Sequence, residues 1–547
     1  MKNLLLFLLL LAYGVTITNA QTWIWAKQAG GSNVELGASV CTDSSGNVYA
    51  TGYFLSASIT FGTYTLTNNG VQNLFVVKYD NDGAVLWAKS FGGTIGEEGK
   101  SICTDPDGNV YITGIISSPT VDFGSGVICT NSISPHNNML LLKLNSSGDP
   151  LWVQTTFADN SGIEGNTVAT DNSGNVYVAG IFGLFFAQFG PGVNDTLNFN
   201  GTDNSFIVKY DPSGTLLFYK RVPGYLAGAS MIAGPSSIIV DNSENIYITG
   251  GFDGGITNTN DIYVTKLDAN GLQDWRQNFG GTDADYSNSL TLDDQGNIYF
   301  TGDFISPSIS FGGTSLTNAS TPNAQNSYAA KLSNTGTHVW AKRLTNGNSS
   351  ASGITIDINN NLYLVGYGVD TVIATIPFSY PDVIVMKLNP ANGNNVWSKV
   401  AGDGYIGLVD FPTSIDSDNS GNLFITGHFS GTVSAFGSTV LSTSGMTDIF
   451  VAKLNTGPSN VEEINLADNV SVHPNPANIK TLIKLNKAKL LGSTFVDYDI
   501  TGCEVARLKL NQYETSLPKN NLSSGIYMFQ IISDDNSLIG QGKLIFE

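Results

Sequence analysis

Carboxylates recur at a fixed offset in this chain. Eight residues before Asp43, Asp105, Asp293 and Asp418 stand Glu35, Glu97, Asp285 and Asp410. Seven residues before Asp105 and Asp171 stand Glu98 and Glu164. Acids at one repeated position can gather into a crown that binds Ca²⁺ or a cationic partner. They can equally cap the amides of their own loops, which is the preferred reading because surface acids mostly act locally. Two of them could instead work as acid and base on a glycan, where the separation of the pair decides the chemistry. Asp416-Ser417-Asp418-Asn419-Ser420-Gly421 has the form of the first half of an EF-hand loop. Gly427 stands where the bidentate Glu belongs, so Asp416 and Asp418 make only a weak calcium candidate beside a plain turn. No other cofactor or metal is expected.

Other reactive types are sparse. His136, His338, His428 and His473 fall in unrelated contexts without metal-ligand spacing. A Gly-x-Ser-x-Gly elbow and a phosphate loop are both missing. Phe182, Phe185 and Phe186, with Tyr225 in a following insertion, form an apolar loop cluster that could meet a partner. Packing around Phe218, which replaces a recurrent Trp, is the favoured alternative. The expectation is a protein that is not an enzyme.

The elements that must position these residues follow from a repeat. A stretch of Asp, two residues, Gly-Asn, an aliphatic, an aromatic and a closing Gly begins at Asp43, Asp105, Asp171, Asp241, Asp293, Asp357 and Asp418. Asp and Ser bond locally to the backbone and Gly or Asn accepts positive φ, so each copy is a tight turn entering a strand. Each is followed by a strand ending in Lys78, Lys143, Lys209, Lys266, Lys331, Lys387 or Lys453. A strand marked by Trp87, Trp152, Phe218, Trp275, Trp340 or Trp397 comes next. Those lysines are expected to snorkel and pair with the turn Asp, and those aromatics to form core between units. The seventh unit lacks its aromatic strand, whereas Trp23-Ile24-Trp25-Ala26-Lys27 at the start matches it. A ring closed by the first strand explains both ends and removes both sheet edges. An all-β, seven-bladed β-propeller over 21–457 is therefore predicted. Phe-Gly hairpins at Phe61, Phe123, Phe189, Phe311 and Phe436 enlarge its units.

Composition agrees. Charged residues are 13% and Gly numbers 61 of 547, as suits short strands and tight turns rather than disorder or coiled coil. The net charge of −20 argues against nucleic acid and anionic membranes as partners. Between 21 and 460 lie 16 basic and 35 acidic residues, so the acidity belongs to the repeats. Residues 1–20 carry Lys2, the apolar run Leu4–Leu11 and small residues to Ala20, the pattern of a secretory signal peptide. No later apolar run is long enough to span a bilayer, so an integral membrane protein is not expected. Four cysteines are too few for a disulfide scaffold, and Cys41 and Cys103 read as buried core.

These repeats resemble the secreted bacterial seven-bladed propeller repeats often called SBBP repeats, which implies a fold and a secreted or cell-surface setting but no single activity. After a linker at 458–468, residues 469–547 resemble the type A C-terminal sorting domain of the type IX secretion system. The matching stretches are Val472-His473-Pro474-Asn475-Pro476-Ala477, Tyr498-Asp499-Ile500-Thr501-Gly502, Leu522-Ser523-Ser524-Gly525-Ile526-Tyr527 and Lys543-Leu544-Ile545-Phe546-Glu547. His473 and Cys503 stand where Tyr and Lys are usual. The resemblance implies a small β-sandwich read by the secretion machinery, and a source among the Bacteroidota. The function expected is an exported binding module for a protein or glycan. A secreted carbohydrate-active enzyme using Glu97, Glu98, Glu164 or Asp285 and a purely structural or adhesive surface protein are the alternatives.

Overall fold

The computed structural model describes 21–131, 135–158, 162–183, 186–190, 195–198, 205–222, 234–253, 260–318, 324–368, 382–402, 410–431, 434–456 and, with shorter gaps, 470–546. The signal-peptide stretch and the linker lie outside the described residues, as do Phe185, Tyr225, Pro474, Asn475, Pro476, Gly502 and Cys503. The chain divides into one unit of Gln21–Thr456 and a second that holds Gly457–Glu547.

In the first unit the described residues form seven four-stranded antiparallel sheets. Their first strands are Glu35–Thr42, Glu97–Thr104, Ile163–Thr170, Pro235–Val240, Asp285–Leu292, Ser349–Ile356 and Asp410–Ser417, and the sheets are numbered one to seven in that order. Six sheets take all four strands from consecutive sequence. In the seventh, the fourth place beside Asp448–Asn455 is filled by Thr22–Ala29, with Trp25 opposite Lys453. Second and third strands read almost wholly buried, as in Val48–Phe54 and Asn73–Tyr79. Continuous apolar runs are what a strand covered on both faces requires.

The repeated turn works as its residues dictate. Asp43 Oδ1 accepts the amides of Ser45 and Asn47 at 3.0 and 2.9 Å, and its Oδ2 accepts the Asn47 amide group and the Tyr49 hydroxyl at 2.8 and 3.0 Å. Gly46 sits at φ +78°, and Glu244 and Asn360 adopt the same left-handed region in sheets four and six. All seven repeat lysines lie over the aromatic ring of this motif, at 4.5–5.7 Å. Lys78, Lys143, Lys209 and Lys331 also reach the turn Asp within 3.4–3.8 Å. The buried ammonium is thus shared between a π face and a carboxylate.

Neighbouring sheets are joined by the aromatic of the fourth strand. The Trp87 indole N–H donates to Ser146 O at 3.2 Å, Trp152 to Pro212 O at 3.1 Å and Trp340 to Pro390 O at 3.1 Å, each in the next sheet. The ring slides beneath a turn glycine of that sheet, as Trp87 does under Gly148. Phe218 does the same under Gly271, so the lost indole is replaced in place. The five Phe-Gly hairpins bury Phe61, Phe123, Phe189, Phe311 and Phe436 against the outer flank. Cys41 and Cys129 are buried free thiols and Cys103 is partly buried, with no bridge.

The second unit holds a three-stranded sheet of Val470–His473, Lys480–Leu485 and Glu514–Pro518, and a four-stranded sheet centred on Thr494–Tyr498 and Gly525–Ile532. Ile483, Leu517, Phe495 and Phe529 from the two sheets share one core. Among the described residues it has seven strands, and lysines alternate with apolar residues along edge strands such as Lys480–Leu485. Tyr527 is buried, its hydroxyl donating to Ser523 O at 2.8 Å, just before Gly525. Lys543 lies on the strand Leu538–Phe546, opposite Met528.

Gly148 tests the seam packing. It stands at φ +82°, and a Cβ there would sit 2.9 Å from the Trp87 ring. Gly148→Val should cost about 1–3 kcal/mol from backbone strain alone, read as a lower guanidinium midpoint at unchanged slope. An unchanged midpoint would show that the glycine is not what admits the indole.

Candidate functional site

Each first strand carries a β-bulge at the same place. The register slips between Gly37 and Ser39, and equivalently in the other six first strands. The extra residue is Ala38, Lys100, Asn166, Ser236, Asn288, Ser352 or Thr413. A bulge re-aims one side chain. Here most of the re-aimed groups donate to a carbonyl of the next sheet. Asn166 Nδ2 reaches Pro235 O at 3.2 Å, Ser236 Oγ reaches Ser287 O at 2.5 Å, and Asn288 Nδ2 reaches Ala351 O at 2.9 Å. Ser352 Oγ reaches Pro412 O at 2.6 Å, and Thr413 Oγ1 reaches Gly37 O at 2.8 Å. Lys100 departs, turning to Glu164 Oε2 at 2.5 Å and Asn166 Oδ1 at 3.3 Å, and Ala38 has nothing to donate.

The bulges border two adjoining cavities that share Asn288. One, of about 370 Å³, is lined by Lys100, Glu164, Asn166, Ser236 and Tyr286 among others. The other, of about 540 Å³, is lined by Asn288, Ser352, Tyr367, Phe411, Pro412, Thr413 and His428. Phe411 stands edge-on to Tyr367 at 4.9 Å and lies against His428 at 5.3 Å. Behind Asn288 sits the buried carboxylate of Asp303, which accepts from Ser350 Oγ at 2.7 Å, Gln325 Nε2 at 2.8 Å and Asn288 Nδ2 at 3.0 Å. Burial raises the Asp303 pKa. Burial also pushes His428 down to about 4, so its ring is neutral above that.

The six repeated acids separate according to their offset. Position eight points inward. Glu35, Glu97, Asp285 and Asp410 are all buried. Glu35 takes the amides of Gly31 and Ser56 at 3.0 and 3.3 Å, and Glu97 those of Gly93 and Ser118 at 2.8 and 3.0 Å. Asp285 takes the amides of Ile305 and Ser306, both at 3.2 Å, and the Ser306 hydroxyl at 2.9 Å. Glu35, Glu97 and Asp285 thus bracket loops through their amides. Position seven, one residue on, points the other way. Glu164 enters the smaller cavity, and Glu98 lies within the fields of Lys100 and Glu164, its pKa raised chiefly by burial.

Asp416 and Asp418, the weak calcium candidate, are engaged by neighbouring groups. Asp418 Oδ1 accepts the amides of Ser420 and Asn422, both at 2.9 Å. Asp416 Oδ2 accepts the amide and hydroxyl of Thr42, at 2.8 and 2.9 Å, in sheet one. Among the described residues no group of three or more metal-ligating side chains gathers. The apolar cluster divides too: Phe182 is fully buried core beneath Arg221, and Phe186 leans on the exposed Phe157 at 6.0 Å. Asn288, Tyr367, Phe411 and Thr413 escape a search for catalytic types, and His428 is set aside by it for want of metal-ligand spacing. The available signal is the hydroxyl after six of the seven bulges, a serine in five and Thr167 in the sixth, as in Gly37-Ala38-Ser39, Gly99-Lys100-Ser101 and Asn288-Ser289.

Comparison with known proteins gives the setting. Residues 471–547 match the secretion system C-terminal sorting domain, and residues 24–53 and 274–303 match the beta-propeller repeat. The chain thus carries SBBP propeller repeats and a type IX sorting tail, which marks a protein for secretion or cell-surface attachment. An uncharacterised WD repeat-containing protein of Acanthamoeba polyphaga mimivirus is 23% identical over 507 residues, covering 74% of this chain. The chain spans 36% of that relative's length. A polysaccharide lyase of the PL25 family, an ulvan lyase, is 11% identical over 78% of this chain and 97% of its own, with a TM-score of 0.37. Sqt1 from Chaetomium thermophilum is 8% identical over 80% of this chain and 100% of its own, also at 0.37. No helix among the described residues is long and apolar enough to cross a membrane.

Asp285 gives a pH signature. Burial lifts its pKa to about 7 in the folded chain, against about 3.9 unfolded. The folded state therefore holds a proton that the unfolded state releases, and stability contributed by this group rises as pH falls from about 7 to about 4. Asp285→Asn should flatten that part of the stability–pH curve relative to wild type. Parallel curves across the window would refute the assignment.

Proposed function

We propose that this chain is an exported, closed seven-bladed propeller that binds a protein or glycan ligand at one end of its axis and carries out no chemistry of its own. Closure is supported by the seam between sheets seven and one, which repeats the contacts of the other seams. Trp25 lies under Gly83 and its indole donates to Asn81 O at 3.1 Å, and Lys453 reaches the same carbonyl at 3.0 Å. The bulge residue Thr413 and the amide of Val40, which donates to Ser414 Oγ at 3.3 Å, complete the match.

The observation that carries the binding role is the placement of variation. Within each sheet the strands are antiparallel, so the short Asp turns fall at one end and the unequal connections at the other. The two adjoining cavities lie at that second end, beside the starts of the first strands, while a third of about 560 Å³, lined by Asp241, Asn242, Asp293 and Asp294 among others, lies at the Asp-turn end. A regular scaffold with variable loops around an axial cavity is the usual setting of a binding site. One observation favours a carbohydrate-active enzyme instead: Glu98 lies in the fields of Lys100 and Glu164, and burial favours the proton on Glu98, as a general acid requires.

Two measurements test this. Incubating the secreted chain with neutral and anionic polysaccharides and following reducing ends and unsaturated products should give neither, while a protein and glycan array should give retained ligands. Product formation that is lost in Glu98→Gln would replace the binding role with the enzymatic one. Deleting 471–547 in a host with type IX secretion should leave the propeller in the periplasm, read by fractionation. Continued export would show that the tail is not the address.

A further inference from the structure

The cavity beside Phe411 differs from its surroundings in what it has left to offer. Ser352 and Thr413 spend their hydroxyl hydrogens on backbone carbonyls, and Asn288 spends its amide hydrogens on Ala351 O and Asp303 Oδ1. A hydroxyl whose hydrogen is committed still has lone pairs, and an amide whose NH₂ is committed still has its oxygen. Asn288, Ser352 and Thr413 therefore face this space as acceptors, while the Tyr367 hydroxyl and the neutral His428 ring each carry one hydrogen. Beside them, Phe411 with Tyr367 and His428 makes an aromatic corner. The His428 Nδ1 is buried with no partner. The cation on the adjoining wall, Lys100, is held by Glu164.

An acceptor-rich space with an aromatic wall selects by simple rules. A ligand must bring O–H or N–H donors to meet the acceptors, and an apolar C–H face to lie on the ring. Sulfate and carboxylate groups bring only acceptors and negative charge into a site near Glu164 and Asp303, and a desolvated like charge is costly. A cavity of about 540 Å³ lies within the size range of small-ligand pockets.

We propose that this cavity is a subsite for an uncharged sugar residue of a glycan, with Phe411 as the stacking platform and Asn288, Ser352 and Thr413 as acceptors of its hydroxyl hydrogens. This rests on the reading of the cavity as the binding site and narrows its ligand to a neutral saccharide. The sugar's hydroxyls would displace water from three acceptors at once, and its own ring face would cover the aromatic corner. Discrimination would come from the anionic sugars that the site repels.

The test uses the full secreted chain and isothermal titration with two sets of probes: neutral cello-, manno- and chito-oligosaccharides, and polygalacturonate and sulfated oligosaccharides. At least one neutral probe should bind and the anionic set should not. Phe411→Leu keeps an apolar side chain of similar reach and should leave the melting temperature unchanged while weakening the neutral probe at least tenfold. His428→Phe should weaken it less, because the aromatic wall survives. Preference for the anionic set, failure of every neutral probe to bind, or binding that ignores Phe411→Leu in a chain that melts normally would overturn the proposal. If an array finds a protein ligand whose capture is untouched by Phe411→Leu, the sugar subsite falls while the binding module stands. If purified chain cleaves the neutral probe, the binding-only reading falls and the subsite stands.

Discussion

The first strand of every sheet faces a problem that the other strands do not. Its inner edge has no fourth neighbour to pair with, so its carbonyls need donors from elsewhere. In five of the seven sheets the bulge solves this by turning one side chain toward a carbonyl of the next sheet, from Asn166 through Ser236, Asn288 and Ser352 to Thr413. A second tier lies one residue on, where Ser39, Ser101, Ser237, Ser289 and Ser414 accept amides of the following sheet. Each bond contributes only about 1 kcal/mol net, yet leaving a buried carbonyl unmet costs more. This polar belt along the first strands is thus obligatory, and the space it borders is polar for structural reasons before it is a site.

That constraint also sorts the acids. With side chains alternating along a strand, a shift of one residue decides whether a carboxylate braces a loop or meets the cavity. Glu97 and Glu98 are neighbours and have opposite fates: the first holds the Gly93 and Ser118 amides, the second lies in the field of Lys100 and Glu164. At Lys100, where the bulge residue makes no bond to the next sheet's carbonyl, the Lys100–Glu164 pair spans the seam instead.

Much of the architecture was legible in the residues. The Asp-x-x-Gly-Asn turns, the lysines and the indoles are strong local signals because each satisfies its own chemistry within a few residues or one seam. The displaced first strand was legible because Trp25-Ala26-Lys27 repeats Trp87-Ala88-Lys89. The site was not. Bulges leave little trace in a single sequence, since Ala, Lys, Asn, Ser and Thr all occupy the position, and only the hydroxyl after most of them recurs. Phe411 and His428 lie on different strands and meet only through register, opposite each other in sheet seven. The direction of the repeated acids was equally hidden, because an offset in sequence does not state which face it serves. In the sorting unit, lysines interrupt the apolar pattern along edge strands such as Lys480–Leu485.

The central claim is that the last sheet joins the first as any other pair is joined. Native-state hydrogen exchange measures this at single amides. Val40 donates to Ser414 across that seam, while Leu290 and Ile354 donate to Ser237 and Ser289 across internal seams. The account predicts that all three amides exchange with the same opening free energy, equal to that of global unfolding. Val40 exchanging far faster, together with the amides of Thr22–Ala29, would mean that the seam opens by itself and that the ring is not closed.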